Sequence, residues 1–94
     1  MKLYTETERP IDMIAFVQHF HPDCADGVFH CGWDGENLLL KFGIFCLEIS
    51  ADEFTKTLRN MRVISSVEHV LSLEVNRLRK TLLFTIRNPV VLSG

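Results

Sequence analysis

The chain has 94 residues, 47% of them hydrophobic and 23% charged, with a formal net charge of −2. That length suits one domain and that composition excludes disorder. A charge so close to zero argues against binding driven by nucleic-acid phosphates or an anionic membrane.

The charge is unevenly spread. Residues 1–50 hold eight acids and three bases, and residues 51–94 hold four acids and seven bases. This predicts acidic and basic surfaces that meet in an oligomer or dock a charged partner. Three cysteines without framework spacing point to a reducing compartment. Lys2, Glu6, Glu8 and Arg9 are out of place in a signal peptide, and together these features predict a cytoplasmic protein. The longest apolar run is interrupted by Lys41 and Glu48, too short a stretch to span a bilayer as a helix.

Residues 1–7 read as a short leading strand or a frayed end. Pro10 suits the first position of a helix, with Asp12 in the first turn complementing the dipole. Met13, Phe16, Val17 and Phe20 then form an i, i+3, i+4, i+7 stripe with Ile14 beside it. Pro22 predicts a stop near His21. Residues 22–27 read as a loop and 28–33 as a strand, with Asp34-Gly35 as the turn after it.

Residues 37–49 are apolar at nearly every position. Read as one strand, they place Leu38, Leu40, Phe42, Ile44 and Cys46 on one face. Leu39, Phe45, Leu47 and Ile49 fall on the other, and Gly43 marks a bulge, a bend or a division into two strands. Ser50-Ala51-Asp52-Glu53 has the capping-box spacing. It opens a helix to about Arg62 with Ala51, Phe54, Leu58 and Met61 as the apolar stripe. Residues 67–76 alternate Val67, His69, Leu71, Leu73 and Val75 against Glu68, Val70, Ser72, Glu74 and Asn76. Residues 81–87 alternate too, and Arg77–Lys80 connects the two as a hairpin. Asn88-Pro89 ends that strand, leaving Val90, Val91 and Leu92 as an apolar tail.

The predicted fold is a single α+β domain over residues 1–94 with element order α-β-β-α-β-β. Its antiparallel sheet has four to five strands, with both helices packed on one face. The segments 10–49 and 50–88 repeat the same order. The open sheet face, with Leu39, Phe45 and Leu47, and the tail Val90, Val91 and Leu92 are then the expected interface, for which a second copy of the chain is the simplest cover.

Three functions are consistent with these residues. The first is a small, non-enzymatic protein-binding domain of adaptor, subunit or inhibitor type that forms a homodimer through the open face. The second is a metal site: His19, His21, Asp23, Cys24 and His30 supply the nitrogen, thiolate and carboxylate ligands that zinc prefers. Their spacing matches no paired C-x-x-C pattern, and a histidine at a helix C-terminus is also favoured by the dipole. The third is nucleic-acid binding through Arg77, Arg79, Lys80 and Arg87, a basic hairpin suited to phosphates. Phe54 and Phe84 fall on core stripes, unavailable for base stacking, so a solvated turn is the alternative.

Catalysis finds little footing. Cys24 lies between Asp23 and Asp26, which disfavour a thiolate, and Cys31 and Cys46 read as small core residues. Glu48 and His69 are single polar groups in otherwise apolar patterns; a solvated acid and a hydrogen-bonded or sheet-edge histidine are the simplest readings. No phosphate-binding glycine loop or nucleophile elbow occurs, and no cofactor is implied.

Overall fold

The computed structural model describes residues 3–24 and 29–90. Its first element is a strand where the sequence suggested a helix start: β1 (Tyr4–Asp12) runs through Pro10. Val90 N–H donates to the Leu3 carbonyl at 3.1 Å, and Met13 N–H donates to the Lys80 carbonyl at 2.9 Å. These bonds, near the two ends of the ladder, turn the backbone groups of odd-numbered β1 residues toward their partner strand. Even-numbered residues face outward. Pro10, with no N–H to give, therefore costs nothing on this free edge.

Helix α1 (Met13–Phe20) follows without a loop, capped by Asp12, whose Oδ1 accepts the Ala15 N–H at 2.9 Å. Asp12 is thus the cap itself and not a first-turn residue. The expected stripe is seen, with Met13, Phe16 and Val17 buried and Phe20 half-buried.

Strands β2 (Phe29–Trp33) and β3 (Asn37–Phe42) form a hairpin whose turn is held by Asp34. Its Oδ1 accepts Glu36 N–H at 2.8 Å and Asn37 N–H at 2.7 Å. The apolar stretch at 37–49 is two strands, not one. Gly43, with φ +58°, opens a two-residue turn, and the chain returns as β4 (Phe45–Ser50). That reversal changes the face assignment. Leu40 pairs with Leu47 and Leu38 with Ile49, so these four share the core side. Leu39 pairs with Glu48 on the opposite side.

Helix α2 (Ala51–Asn60) is capped by Ser50 as predicted, its Oγ accepting Glu53 N–H at 3.2 Å. Phe54, Thr57 and Leu58 are buried. The helix closes with Arg62 in the left-handed region, φ 61°. Arg62 N–H bonds the Arg59 carbonyl and Val63 N–H the Leu58 carbonyl, the bonding of a Schellman motif with arginine where glycine is usual.

Strands β5 (His69–Asn76) and β6 (Thr81–Pro89) complete the chain. A bulge between Val70 and Ser72 leaves Leu71 as the extra residue. One inserted residue reverses the alternation. His69 therefore lies on the face opposite Leu73 and Val75, not beside them.

The order is β-α-β-β-β-α-β-β, and the strands make two three-stranded antiparallel sheets instead of one sheet of four or five. The long sheet runs β1-β6-β5 and the short sheet β2-β3-β4. Elements 4–42 and 45–89 each run β-α-β-β, and each half's first strand pairs with the last strand of the other half. Where β5 nears β2, Arg77 Nη2 donates to the Cys31 carbonyl at 3.1 Å.

One core lies between these layers, with Leu38, Leu40, Ile49, Leu82, Phe84 and Ile86 almost fully buried. Three rings tie the halves together. Phe54 of α2 lies 5.3 Å from Phe16 of α1 and 6.1 Å from Phe84 of β6, centroid to centroid. The α2–β5 connection is pinned by polar contacts. Glu68 accepts from Arg9 Nη2 at 3.3 Å and from Ser65 N–H at 2.8 Å, while Arg59 holds the Glu68 carbonyl at 3.0 Å. The acidic and basic halves therefore interleave: Glu6 of β1 sits opposite Arg87 of β6. No helix among the described residues is long and apolar enough to cross a membrane.

Candidate binding site

The end of the long sheet farthest from the 77–80 turn carries an unusual set of side chains. Register places Tyr4 opposite Pro89 on β6, and Arg87 between Glu6 on β1 and His69 on β5. Directly opposite residues share a face, so Tyr4, Glu6, Arg87 and His69 all lie on the side away from the core. The bulge at Leu71 is what turns His69 there. Leu3 and Val67, just outside β1 and β5, complete a half-open cavity of about 300 Å³ lined by Leu3, Tyr4, Val67, His69, Arg87 and Pro89.

Large apolar surface is left open here: Leu3 is 42% exposed, Tyr4 47% and Val67 59%. Val90, bonded to Leu3 through the backbone, is also exposed and extends the patch. The Arg87 guanidinium carbon lies 4.3 Å from the centre of the Tyr4 ring. Such stacking holds the planar group in place while its N–H edges stay available.

The remaining candidates are dispersed. His19 is exposed at the end of α1, with its ring edge-on to Phe20 at 5.3 Å. His21 and Cys24 are half-buried, Asp23 is exposed, and His30 projects from β2. Cys24 is held by its backbone, its N–H donating to the His21 carbonyl and its carbonyl accepting from Gln18. No three His, Cys, Asp or Glu side chains among the described residues are grouped to hold a metal ion. Asp26 lies outside the described residues.

The basic set is divided as well. Arg79 is exposed at the turn, where its N–H bonds Asn76 Oδ1, and Arg77 is engaged with β2. Arg87 sits six residues along β6 from Thr81, roughly 20 Å away at the strand rise. It belongs to the other end of the sheet and not to a hairpin-tip cluster.

Of the interface residues expected from sequence, Leu39 and Leu47 lie on opposite faces of the short sheet. Leu47 packs against the core, whereas Leu39 points outward beside Glu48. His30, Gly32, Leu39 and Lys41 of that outer face, with core-facing Cys31 between them in sequence, line a shallow depression of about 300 Å³. Val91 and Leu92 lie outside the described residues, as does the side chain of Phe45.

Chemistry at the cysteines follows their burial. Burial pushes the Cys31 thiol up to about 11, the Arg77 charge opposing it only in part. At neutral pH it is a protonated core residue. Cys46, expected in the core, is exposed on the outer face of the short sheet. Glu48 is exposed and solvated. The Asp34 carboxyl is held below its usual value by the N–H groups of Asn37 and Glu36, which makes it a turn-former and not a proton donor.

Sequence reading passed over Leu3, Tyr4 and Pro89, weighed His69 alone, and grouped Arg87 with the wrong neighbours. Little in the sequence pointed to the set, because its members are spread from Leu3 to Pro89 and converge only through the β1–β6 and β5–β6 pairings. Comparison with known protein families, with curated proteins and with solved structures finds no match for this chain.

Proposed function

We propose that this chain is a cytoplasmic protein-binding domain that engages its partner with the Leu3–Tyr4–Val67–Arg87 end of the long sheet. The observation that carries the reading is this coincidence of open apolar side chains with an arginine stacked on a tyrosine. Tyr and Arg dominate the energetic centres of protein interfaces, because both give large contact area and directed polar groups. Beyond the patch the long sheet's outer face carries Glu8, Asp12 and Glu74, with half-buried Leu83 among them. The odd number of cysteines, without framework spacing, supports a reducing compartment. Self-association through Leu39 and Leu47 together is not part of the reading, since the two side chains face opposite ways.

The test is selection of displayed random peptides on the intact protein, followed by binding to Tyr4→Ala and Val67→Ser. Selected peptides lose about tenfold or more in affinity on each variant, the loss expected for central contacts worth above ~1.4 kcal/mol. Peptides that bind both variants as well as the parent would place recognition elsewhere. Sedimentation velocity runs alongside: a dimer that Val67→Asp dissociates identifies a second copy as the partner.

A further inference from the structure

Resting on the protein-binding reading, we infer that the cavity at this end of the long sheet accepts a carboxylate from the partner, held between Arg87 and His69 with an apolar neighbour seated on Leu3, Val67 and Pro89. Arg87 makes no hydrogen bond or ion pair with another described side chain and stacks on Tyr4. His69 directly faces it across the β5–β6 ladder, and its ring too makes no hydrogen bond or ion pair with a described side chain. Two nitrogen-bearing heads thus converge over one small cavity. A guanidinium fixed by ring stacking presents parallel N–H groups, the geometry that grips a carboxylate with two bonds.

Arg87 has an acid within register, Glu6 on β1, yet the two are not within ion-pair distance. Glu6 lies on the side of Arg87 away from His69, so the His69 side is open to an incoming anion. The cavity, about 300 Å³, matches the lower end of ligand-sized sites. Its lining of Leu3, Val67 and Pro89 suits an aliphatic side chain next to the acid. Partial exclusion of water by those groups strengthens the ionic contact relative to one on open surface.

The test is an NMR titration of the isotope-labelled full chain with acetyl-Leu-Glu-Leu-amide, its glutamine counterpart, and the free acid N-acetylleucine. The glutamate peptide moves the backbone signals of Tyr4, His69 and Arg87, and binds about tenfold more tightly than the glutamine peptide, the difference expected for a charge-assisted pair. Arg87→Gln abolishes that difference while the rest of the spectrum is retained, and Arg87→Lys restores it only in part. Equal binding of the two peptides at this end overturns the carboxylate inference and leaves the protein-binding reading standing. Binding of N-acetylleucine here with no response to either peptide keeps the carboxylate site and overturns the protein-binding reading. No movement of these signals with any of the three overturns the inference outright.

Discussion

Replacing Phe54 by alanine tests whether the two interleaved halves share one core. Its ring is 1% exposed, contacts Phe16 across the helix pair and Phe84 on β6, and so joins α1, α2 and the long sheet. Truncating a fully buried phenylalanine costs about 3–5 kcal/mol, from lost transfer energy plus the residual cavity. A domain of this length holds roughly 5–14 kcal/mol in total at typical values per residue, so the variant loses between about a fifth and all of its stability. Urea unfolding followed by far-ultraviolet circular dichroism reads the effect as a lower midpoint with unchanged slope. The midpoint temperature falls by at least about 12 °C, taking about 4 °C per kcal/mol for a domain near this size. Phe20→Ala is the control. That ring is only half-buried and packs edge-on to Phe16 at 5.5 Å, so its removal costs markedly less. A double-mutant cycle of Phe16→Ala with Phe54→Ala returns a coupling of about 0.5–1.5 kcal/mol for the ring pair. A Phe54→Ala cost below about 1 kcal/mol would refute the shared core, because no cavity of ring size could then have formed.

Four further outcomes follow from the described geometry. Arg62→Gly stabilises the protein by about 0.5–1 kcal/mol in the same urea assay, since glycine adopts the left-handed C-terminal position without the Cβ penalty; a loss of stability would contradict the helix termination seen here. Gly43→Val lowers stability by about 1–2 kcal/mol, because φ +58° is strained for a β-branched residue in a turn that sets the register of β3 and β4. The raised Cys31 pKa contributes stability that is intact below the unfolded value near 9 and is lost as pH rises toward about 11. Cys31→Val therefore flattens the decline in stability between pH 9 and 11; an unchanged slope over that window would assign the decline to other groups. In thiol labelling at neutral pH, exposed Cys46 reacts first and buried Cys31 last.

Local chemistry was legible from single stretches of sequence. Ser50 and Glu53 mark the start of α2, the Met13–Phe20 stripe defines the buried face of α1, and Asp34-Gly35 and the 77–80 segment mark turns. Each depends on interactions within a few residues, so the sequence carries the whole cause. Sequence offers residues 1–7 as a strand or a frayed end but not the extension to Asp12, because the alternation is weak: Thr5, Thr7 and Arg9 share the side of Ile11, where only Ile11 reaches the core. Pro10 then imitated a helix start. Sequence leaves the 37–49 run open between one strand and two, because apolarity on both faces conceals the reversal that the left-handed Gly43 provides.

Pairing between distant segments was decided only in three dimensions. Nothing local tells β1 to pair with β6, or β4 to close the sheet of the other half; that exchange arises because the strands must bury Ile11, Ile49, Leu82 and Phe84 in a common interior. The bulge at Leu71 is likewise a tertiary decision: it keeps Val70 and Leu73 both facing the core and, as a consequence, turns His69 outward toward Arg87. The sequence by itself determined the two helices, the Ser50 cap, most of the turns and the list of apolar residues. The tertiary structure decided which of those residues meet, which strands are neighbours, and hence where Tyr4, His69 and Arg87 come together, because side-chain convergence depends on register and a single inserted residue reverses it.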